Sequence, residues 1–168
     1  ILIYRKKMSR SFNQDHKDGI NNEKRILKIL KDKFNDVDNQ IRLNKDKYGF
    51  YDIIDNINKR FIEIKKRNYT FSCFPDWMIG LDKYNKFKSL KKNNEKYKGY
   101  SLYLIQSNKD DDYYCLLSKK RVLKIYNFKR DDRVDHIDIQ KKYLYIDSKF
   151  FKCLDQIKKN KKIILKKK

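Results

Sequence analysis

Cysteine, proline and glycine are all scarce in this sequence. The three cysteines are Cys73, Cys115 and Cys153, and no two of them stand in a CxxC arrangement. An odd and scattered set of cysteines predicts free thiols in a reducing compartment and excludes a disulfide framework. Only His16 and His136 could complete a zinc site with them, so a structural zinc ion is not expected.

Long apolar runs are also missing from the chain. None approaches the ~20 residues that span a bilayer. The opening segment 1–4 is apolar but too short for the core of a signal peptide, and its basic residues follow it instead of preceding it. We therefore expect an intracellular, soluble protein, cytoplasmic or nuclear, with no membrane partner. The abundance of Lys, Asn, Ile, Tyr and Phe is typical of AT-rich coding and suits a large DNA virus, a mobile element or an AT-rich microbe.

Acidic residues are few compared with basic ones. The chain has 44 Lys and Arg against 22 Asp and Glu, which gives a formal net charge of +22. Such an imbalance strains a compact fold by self-repulsion unless a polyanion relieves it, and nucleic acid is the first candidate. AT-rich coding is the alternative source of part of this excess. The 13 Tyr and 10 Phe can supply the core that one domain of this length needs.

The spacing of apolar residues predicts an α/β domain. We expect helices over about 22–35 and 81–96, strands over about 41–43, 50–55, 60–67, 100–107, 113–117 and 143–146, and a last helix that Ser148 caps. Pro75 predicts a packed loop over 74–77, and the region 120–140 is ambiguous. The predicted division is a basic N-terminal arm over 1–18, one domain over 19–157 and a lysine-rich tail over 158–168.

Two short strands joined by residues 56–59 carry the strongest chemical signal. If the turn is centred on this linker, the numbers of facing residues sum to 115, and Asp52 faces Glu63. Facing residues on paired strands have Cβ atoms roughly 4.5–5.5 Å apart. Lys65 lies two residues beyond Glu63 and shares its face. Two carboxylates and an ammonium thus converge, and Mg²⁺ would relieve the repulsion between the carboxylates.

Other acidic residues have simpler interpretations. Asp55 is predicted to pair with Arg60, since 55 and 60 also sum to 115. The triplet 110–112 is interpreted as a solvated hairpin tip and not as a metal site. The alternative for Asp52 and Glu63 themselves is a solvated cross-strand pair on an open face.

The order of these elements resembles the PD-(D/E)xK nuclease superfamily over about residues 20–107. A helix with Glu23 precedes a strand with Asp52 and a strand with Glu63-Ile64-Lys65, and a helix and a strand follow. The resemblance implies a restriction-endonuclease-like core, with a central mixed β-sheet flanked by helices in the order α-β-β-β-α-β. A C-terminal hairpin and helix are added to that core. Tyr51 stands before Asp52 where many members have proline, which many others also lack.

The resemblance also implies roles for these residues. Asp52, Glu63 and the carbonyl of Ile64 would hold Mg²⁺ or Mn²⁺, and Lys65 would lie beside the attacking water and the scissile phosphate. Glu23 would support the metal or its water shell. For Glu23, the alternative is a favourable interaction with the helix dipole, because acidic residues are common in the first turn of a helix.

By this resemblance, the expected activity is divalent-metal-dependent hydrolysis of phosphodiester bonds in DNA, by an endonuclease more than an exonuclease. Repair, recombination and the resolution of branched DNA are all open roles, and the junction-resolving members imply a homodimer. The basic residues expected to bind phosphates are Arg42, Lys66, Arg67, Lys83 and Lys86. The alternatives are a non-catalytic nucleic-acid-binding protein on a nuclease-like fold and an RNA-directed nuclease.

Overall fold

The computed structural model describes residues 12–46, 49–118, 122–128 and 141–158. In these ranges, the helices are α1 (Phe12–Phe34) and α2 (Leu81–Asn93). The strands are β1 (Ile41–Leu43), β2 (Ile53–Asp55), β3 (Arg60–Lys66), β4 (Asp76–Gly80), β5 (Ser101–Ser107), β6 (Asp112–Leu116), β7 (Val122–Phe128), β8 (Lys141–Asp147) and β9 (Lys152–Cys153).

The described strands form two sheets. A six-stranded sheet has the order β1-β2-β3-β5-β6-β9, and a three-stranded sheet has the order β4-β8-β7. In the larger sheet β3 and β5 are parallel, whereas the other neighbours are antiparallel. The predicted α/β class with a mixed sheet is therefore confirmed. The α2 helix provides the crossover that a parallel β3–β5 pair requires.

The register of the β2–β3 hairpin is the one that the sequence predicted. Ile53 faces Ile62, Ile54 faces Phe61 and Asp55 faces Arg60, so each pair of numbers sums to 115. Alternation along the strands sends Ile62 and Ile64 to one face of the sheet, and Phe61, Glu63 and Lys65 to the other.

Each face of the six-stranded sheet carries its own core. On one face, α1 packs on the sheet through Ile26, Leu30 and Phe34, which contact the isoleucines of β1, β2 and β3. On the other face, Phe61 and the leucines of β5 pack against α2 and the smaller sheet, through residues that include Phe87 and Trp77. Burying each such side chain stabilises the fold by roughly 1.5–3 kcal/mol. The carboxylate-bearing face is therefore the face that α2 covers.

The first helix begins at Phe12, earlier than predicted. Residues 12–18 of the predicted arm are helical, and residues 1–11 lie outside the described ranges. The early turns carry local support, because Gln14 Nε2 donates to Asp18 Oδ1 at 2.9 Å. These turns lack an apolar stripe. They are helical nonetheless, because an established helix extends through polar residues at little cost. A prediction based on periodicity therefore missed them.

The predicted loop over 74–77 was wrong beyond Pro75. Asp76–Gly80 is the strand β4, which pairs antiparallel with β8. Trp77 and Ile79 point into the core while their neighbours are half-buried. The alternation is short, and its partner is far away in the chain, so local signals were too weak to reveal the strand. The ambiguous region contains β7, and residues 129–140 lie outside the described ranges.

The predicted C-terminal helix was also wrong. Ser148–Phe150 and Leu154–Gln156 are single 3₁₀ turns on either side of the short strand β9. Phe151 packs into the core on the α2 side, whereas Leu154 and Ile157 pack into the core on the α1 side. These apolar residues serve two cores, so they do not form one helical face. Residues 159–168 of the predicted tail lie outside the described ranges, and the division into arm, domain and tail stays a prediction.

Candidate active site

Asp52 lies at the open end of the β2–β3 hairpin and is held by main-chain hydrogen bonds. Its N–H donates to the carbonyl of Ile62 at 2.8 Å, and its own carbonyl accepts from the N–H of Asn44 at 2.7 Å. Its carboxylate accepts from the N–H of Ile64 at 2.6 Å, through Oδ2. The paired register of β2 and β3 ends at Ile53 and Ile62. Asp52 lies next to that end and is hydrogen-bonded to the main chain on both sides of Glu63, at Ile62 and Ile64. Its predicted pairing with Glu63 stays a prediction.

Glu63 is the buried centre of the site. Its side chain is 0% exposed, because β3 lies between β2 and β5 and is covered by α2. An ionised carboxylate at such depth is tolerated only when it is paired. Lys65 forms an ion pair with Oε1 of Glu63. Lys83 donates to both Oε1 and Oε2, each at 2.7 Å.

Lys83 reaches Glu63 from the start of α2. The helix begins at Leu81 directly after β4, and Trp77 and Ile79 anchor β4 in the core. Lys83 was predicted as a phosphate-binding residue on this helix, and the structure places it on the carboxylate. No spacing in the sequence signals this contact, because it depends on how α2 packs across β3.

Electrostatics shows that Asp52, Glu63 and Glu23 are close neighbours. Burial raises the pKa of Asp52 to about 7, helped by the charge of Glu63 and, less strongly, of Glu23, while the N–H of Ile64 opposes the rise. Burial and the charge of Glu63 also raise the pKa of Glu23. The structure thus brings the predicted helix acid towards the hairpin acids. A carboxyl group whose pKa is raised by burial and by neighbouring carboxylates marks a site that favours a cation.

A polar cluster ties α1 to the strand ends beside the site. Arg25 forms two hydrogen bonds with the Asp112 carboxylate, both at 2.7 Å. Asn22 Oδ1 accepts from Arg25 and, at 3.0 Å, from the hydroxyl of Ser107. Because Glu23 stands between Asn22 and Arg25, this cluster fixes its position.

The prediction that residues 110–112 form a solvated tip was only partly right. Asp112 is buried and pairs with Arg25, and Asp110 accepts from the N–H of Phe71 at 2.9 Å. Only Asp111 and Asp110 are exposed. The triplet therefore anchors loops and α1, a role that becomes visible only when distant segments meet.

The other predicted basic residues lie on β1, on or directly after β3, and on α2. Burial raises the pKa of Tyr51 and of Tyr100, and the nearby charge of Arg42 opposes that rise, which places Arg42 towards these tyrosines. Lys66 is exposed, and alternation along β3 turns it to the α1 face. The remaining two, Arg67 after β3 and Lys86 on α2, flank the site in the chain; Arg67 is half-buried and Lys86 is exposed.

The donor set at the hairpin fits a hard divalent cation. In the part of the chain that the structure describes, no group of three or more His, Cys, Asp or Glu side chains is arranged to hold a metal ion. Asp52 and Glu63 with one main-chain carbonyl would supply part of a coordination sphere. Mg²⁺ usually takes one or two carboxylates and keeps water or substrate oxygens in its other positions. The residues present therefore fit Mg²⁺ or Mn²⁺.

Comparison with known proteins supports the same reading of the chain. No curated protein matches the sequence. None of the described helices has both the length and the apolar character that crossing a membrane requires. The family model described as "Phage putative PDDEXK endonuclease" matches residues 8–154, which include α1, the hairpin, α2 and every strand up to β9. The chain therefore belongs to this phage-associated PDDEXK endonuclease family, within the PD-(D/E)xK superfamily.

Proposed function

We propose that this protein is a divalent-metal-dependent nuclease that hydrolyses phosphodiester bonds in DNA. One observation carries the proposal: Asp52 lies close to the fully buried Glu63 at the open end of a hairpin, and the ammonium groups of Lys65 and Lys83 contact Glu63. A purely structural hairpin has no need of neighbouring acids, because like charges close together are destabilising in a sheet. A nuclease needs such a cluster to bind a cation and a phosphate together.

Each residue of the cluster has a distinct task in this proposal. Asp52 and Glu63, with the carbonyl of Ile64, would hold Mg²⁺ or Mn²⁺, and Glu23 would support its water shell. When bound, the cation lowers the pKa of a water molecule and neutralises charge on the phosphate. Lys65 positions the attacking water and stabilises the charge that develops on the phosphate, as a preorganised donor does.

The substrate of this proposal is DNA, bound mainly through its phosphates. The net charge of +22 supports a polyanionic partner. Arg42, Lys66, Arg67 and Lys86 would bind phosphates around the site, in addition to Lys83. Because the sequence shows no base-reading module, we infer recognition of branched or otherwise distorted DNA by a homodimer, in repair or recombination. A phage-associated family fits action inside an infected cell.

A cleavage assay tests the proposal. Plasmid DNA is incubated with Mg²⁺ or Mn²⁺, with and without a chelator, beside Glu63→Gln, Glu63→Ala and Lys65→Ala. Lys92→Ala is the matched control, since Lys92 is an exposed lysine of α2. We expect cleavage that stops in chelator and falls by ~10²–10³ in the site variants. Cleavage that persists in chelator, or in all site variants, would contradict the assignment.

The same assay separates the alternatives when its substrates are varied. Single-stranded, duplex and four-way-junction DNA and a duplex RNA are compared at equal concentration. Preference for the junction supports structure selectivity, and cleavage of RNA alone would favour an RNA-directed nuclease. Binding of all substrates without cleavage of any would favour a non-catalytic protein on a nuclease fold. Light scattering of the protein with and without junction DNA tests the homodimer.

A further inference from the structure

The ammonium group of Lys83 is bound to the carboxylate of Glu63, which is the group that a cation would need. Its Nζ lies 2.7 Å from both oxygens of Glu63, so one ammonium binds the carboxylate through both of its oxygens. Lys65 forms an ion pair with Oε1 of the same carboxylate. A cation that binds Glu63 through either oxygen therefore competes directly with Lys83.

The charges at the site nearly balance without a cation. When all three acids are ionised, Asp52, Glu63 and Glu23 carry three negative charges, against the two positive charges of Lys65 and Lys83. A divalent cation adds two more positive charges within a few ångströms of both ammonium groups. Like charges at this distance repel strongly in a partly buried site. The site then has the excess positive charge that an anionic phosphate would neutralise.

Lys83 is able to move while α2 stays in place. Its side chain is 26% exposed although Glu63 is 0% exposed, so it reaches the carboxylate from the solvent side. A lysine carries its charge on a flexible four-carbon chain with several rotatable bonds. A change of rotamer could turn the ammonium from the carboxylate to a ligand at the surface.

We propose that Lys83 is an exchangeable counter-ion of Glu63: it pairs with the carboxylate until a cation binds, and then turns to the substrate phosphate. This inference rests on the proposed function, because it requires a cation at Asp52 and Glu63. It makes Lys83 a substrate-binding group whose availability depends on the cation. Cation and DNA binding are thereby coupled, and such coupling is reciprocal.

Amine labelling of the wild-type protein tests the exchange directly. The protein is acylated briefly in chelator, in Mg²⁺, and in Mg²⁺ with DNA, and each lysine is quantified by peptide mass spectrometry. We expect labelling of Lys83 to rise severalfold in Mg²⁺ and to fall again with DNA, while that of Lys92 stays constant in chelator and in Mg²⁺. Equal labelling of Lys83 in chelator and in Mg²⁺, under conditions where Mg²⁺ raises the melting temperature, would overturn the exchange.

Calorimetric titration with Mn²⁺ provides a second test. Lys83→Met should bind Mn²⁺ roughly tenfold more tightly than the wild type, because its competitor is gone. Lys92→Met, with the same loss of charge on the same helix, should bind as the wild type does. Weaker Mn²⁺ binding by folded Lys83→Met would show that Lys83 only supports Glu63. If the wild type neither binds Mn²⁺ nor cleaves, the proposed function itself fails, which is a different result.

A second observation carries an independent inference about Gln106. This residue is 0% exposed, and neither its Nε2 nor its Oε1 has a hydrogen-bond partner in the described ranges. It faces Lys65 across the β3–β5 pair and Tyr113 across the β5–β6 pair. It therefore lies on the same face of the sheet as Glu63 and Lys65. Buried amides are normally paired with protein or with ordered water.

We infer that the Gln106 amide holds a water molecule beside Lys65. That bound water in turn orients a second water molecule, which attacks the phosphate. The amide is fully buried and so does not reach a substrate directly, whereas a buried water is a common partner of an otherwise unpaired amide. Lys65, which faces Gln106, is 30% exposed and links this position to solvent. This too rests on the proposed function. Gln106 is thus a positioning residue. Burying its amide without a protein partner lowers the stability of the fold, which a purely structural residue would not do.

Gln106→Met separates positioning from structure, because methionine has nearly the same shape without the polar atoms. We expect an equal or higher melting temperature, unchanged DNA affinity and a single-turnover cleavage rate that falls ~10²-fold. Leu104→Met, on the same strand and face, is the matched control and should keep the wild-type rate. A rate within twofold of the wild type, or a markedly lower melting temperature, would show that the amide serves the fold alone.

Discussion

The two ends of the β2–β3 hairpin use buried charge in opposite ways. At the turn end, Asp55 faces Arg60, and both oxygens of Asp55 accept from Asn58, at 2.9 and 2.8 Å. Arg60 lies between the rings of Phe34 and Tyr103, 5.5 and 4.9 Å from their centroids. At the open end, Asp52 lies close to Glu63, and burial and the charge of Glu63 raise the pKa of Asp52. The hairpin therefore has an attractive pair at one end and two repelling acids at the other.

This difference separates the structural end from the candidate active site. The acid at the turn end finds its partners within a few residues, and these contacts help to set the register. The acids at the open end are neutralised by Lys65 and by Lys83, which comes from another element. Two neighbouring acids lower the stability of the fold, whereas an acid and a base at the same positions would have stabilised it. Such a sacrifice of stability is typical of functional sites.

Neutralising one acid at each end should give the clearest contrast. Asp52→Asn should lower the cleavage rate by ~10²–10³ without lowering the melting temperature, because it removes a repelled charge. Asp55→Asn should leave the rate per folded molecule near that of the wild type and destabilise the protein by about 3–5 kcal/mol, because Arg60 loses its buried partner. Cleavage assays and urea unfolding measure both effects. Equal loss of activity in the two variants would remove the distinction.

Removing the ammonium of Lys65 should have the next largest effect. Lys65→Met should reduce single-turnover cleavage by ~10² and leave DNA affinity almost unchanged, since its charge acts on the reacting groups. Because Lys83 continues to pair with Glu63, we expect the fold to tolerate the change. If Lys65→Met weakens DNA binding without slowing cleavage, the role of Lys65 is in substrate binding and not in the chemical step.

The pKa of Asp52 predicts an unusual dependence of stability on pH. Burial and the charge of Glu63 raise this pKa from 3.8 to about 7. The folded protein then keeps a proton that the unfolded chain releases, so the contribution of Asp52 to the free energy of unfolding falls as pH rises from about 4 to about 7. Above pH 7 the contribution is constant. Without metal, Asp52→Asn should lack this slope in urea unfolding at several pH values.

Cation binding should show the opposite trend with pH. Asp52 must lose its proton before its carboxylate can bind a metal, so Mn²⁺ affinity should rise with pH and level off above about 7. Calorimetry in matched buffers measures it. An affinity that is constant between pH 5 and 8 would place the cation away from Asp52.

The smallest effect is expected from an exposed lysine on α2. Lys86→Met should weaken DNA binding severalfold and reduce the slope of log affinity against log salt by about 1, because one phosphate contact is lost. The cleavage rate at saturating DNA should be unchanged. Fluorescence anisotropy at several salt concentrations measures it, and an unchanged slope would place Lys86 outside the DNA path.

Local order was largely predictable from the sequence. The first three strands, α2, β5 and β6 lie close to their predicted ranges, because short-range alternation and helical spacing report on which side chains are buried. The segments that were missed have their partners far away in the chain. β4 is stabilised by β8, and β9 by the edge of β6. Such pairing leaves little trace in the neighbouring residues.

The sequence alone determined that Glu63 and Lys65 share one face at the open end of a hairpin, close to Asp52. This follows from a period of two residues along each strand and from a tight turn, and both are local properties. Only the tertiary structure decided that Lys83 from α2 and Gln106 from β5 join them, and it brings Glu23 of α1, which the family resemblance had named, close to Glu63. Their positions depend on how two helices pack on opposite faces of the sheet, and on a parallel crossover. Those contacts join residues far apart in the chain, so no local pattern encodes them.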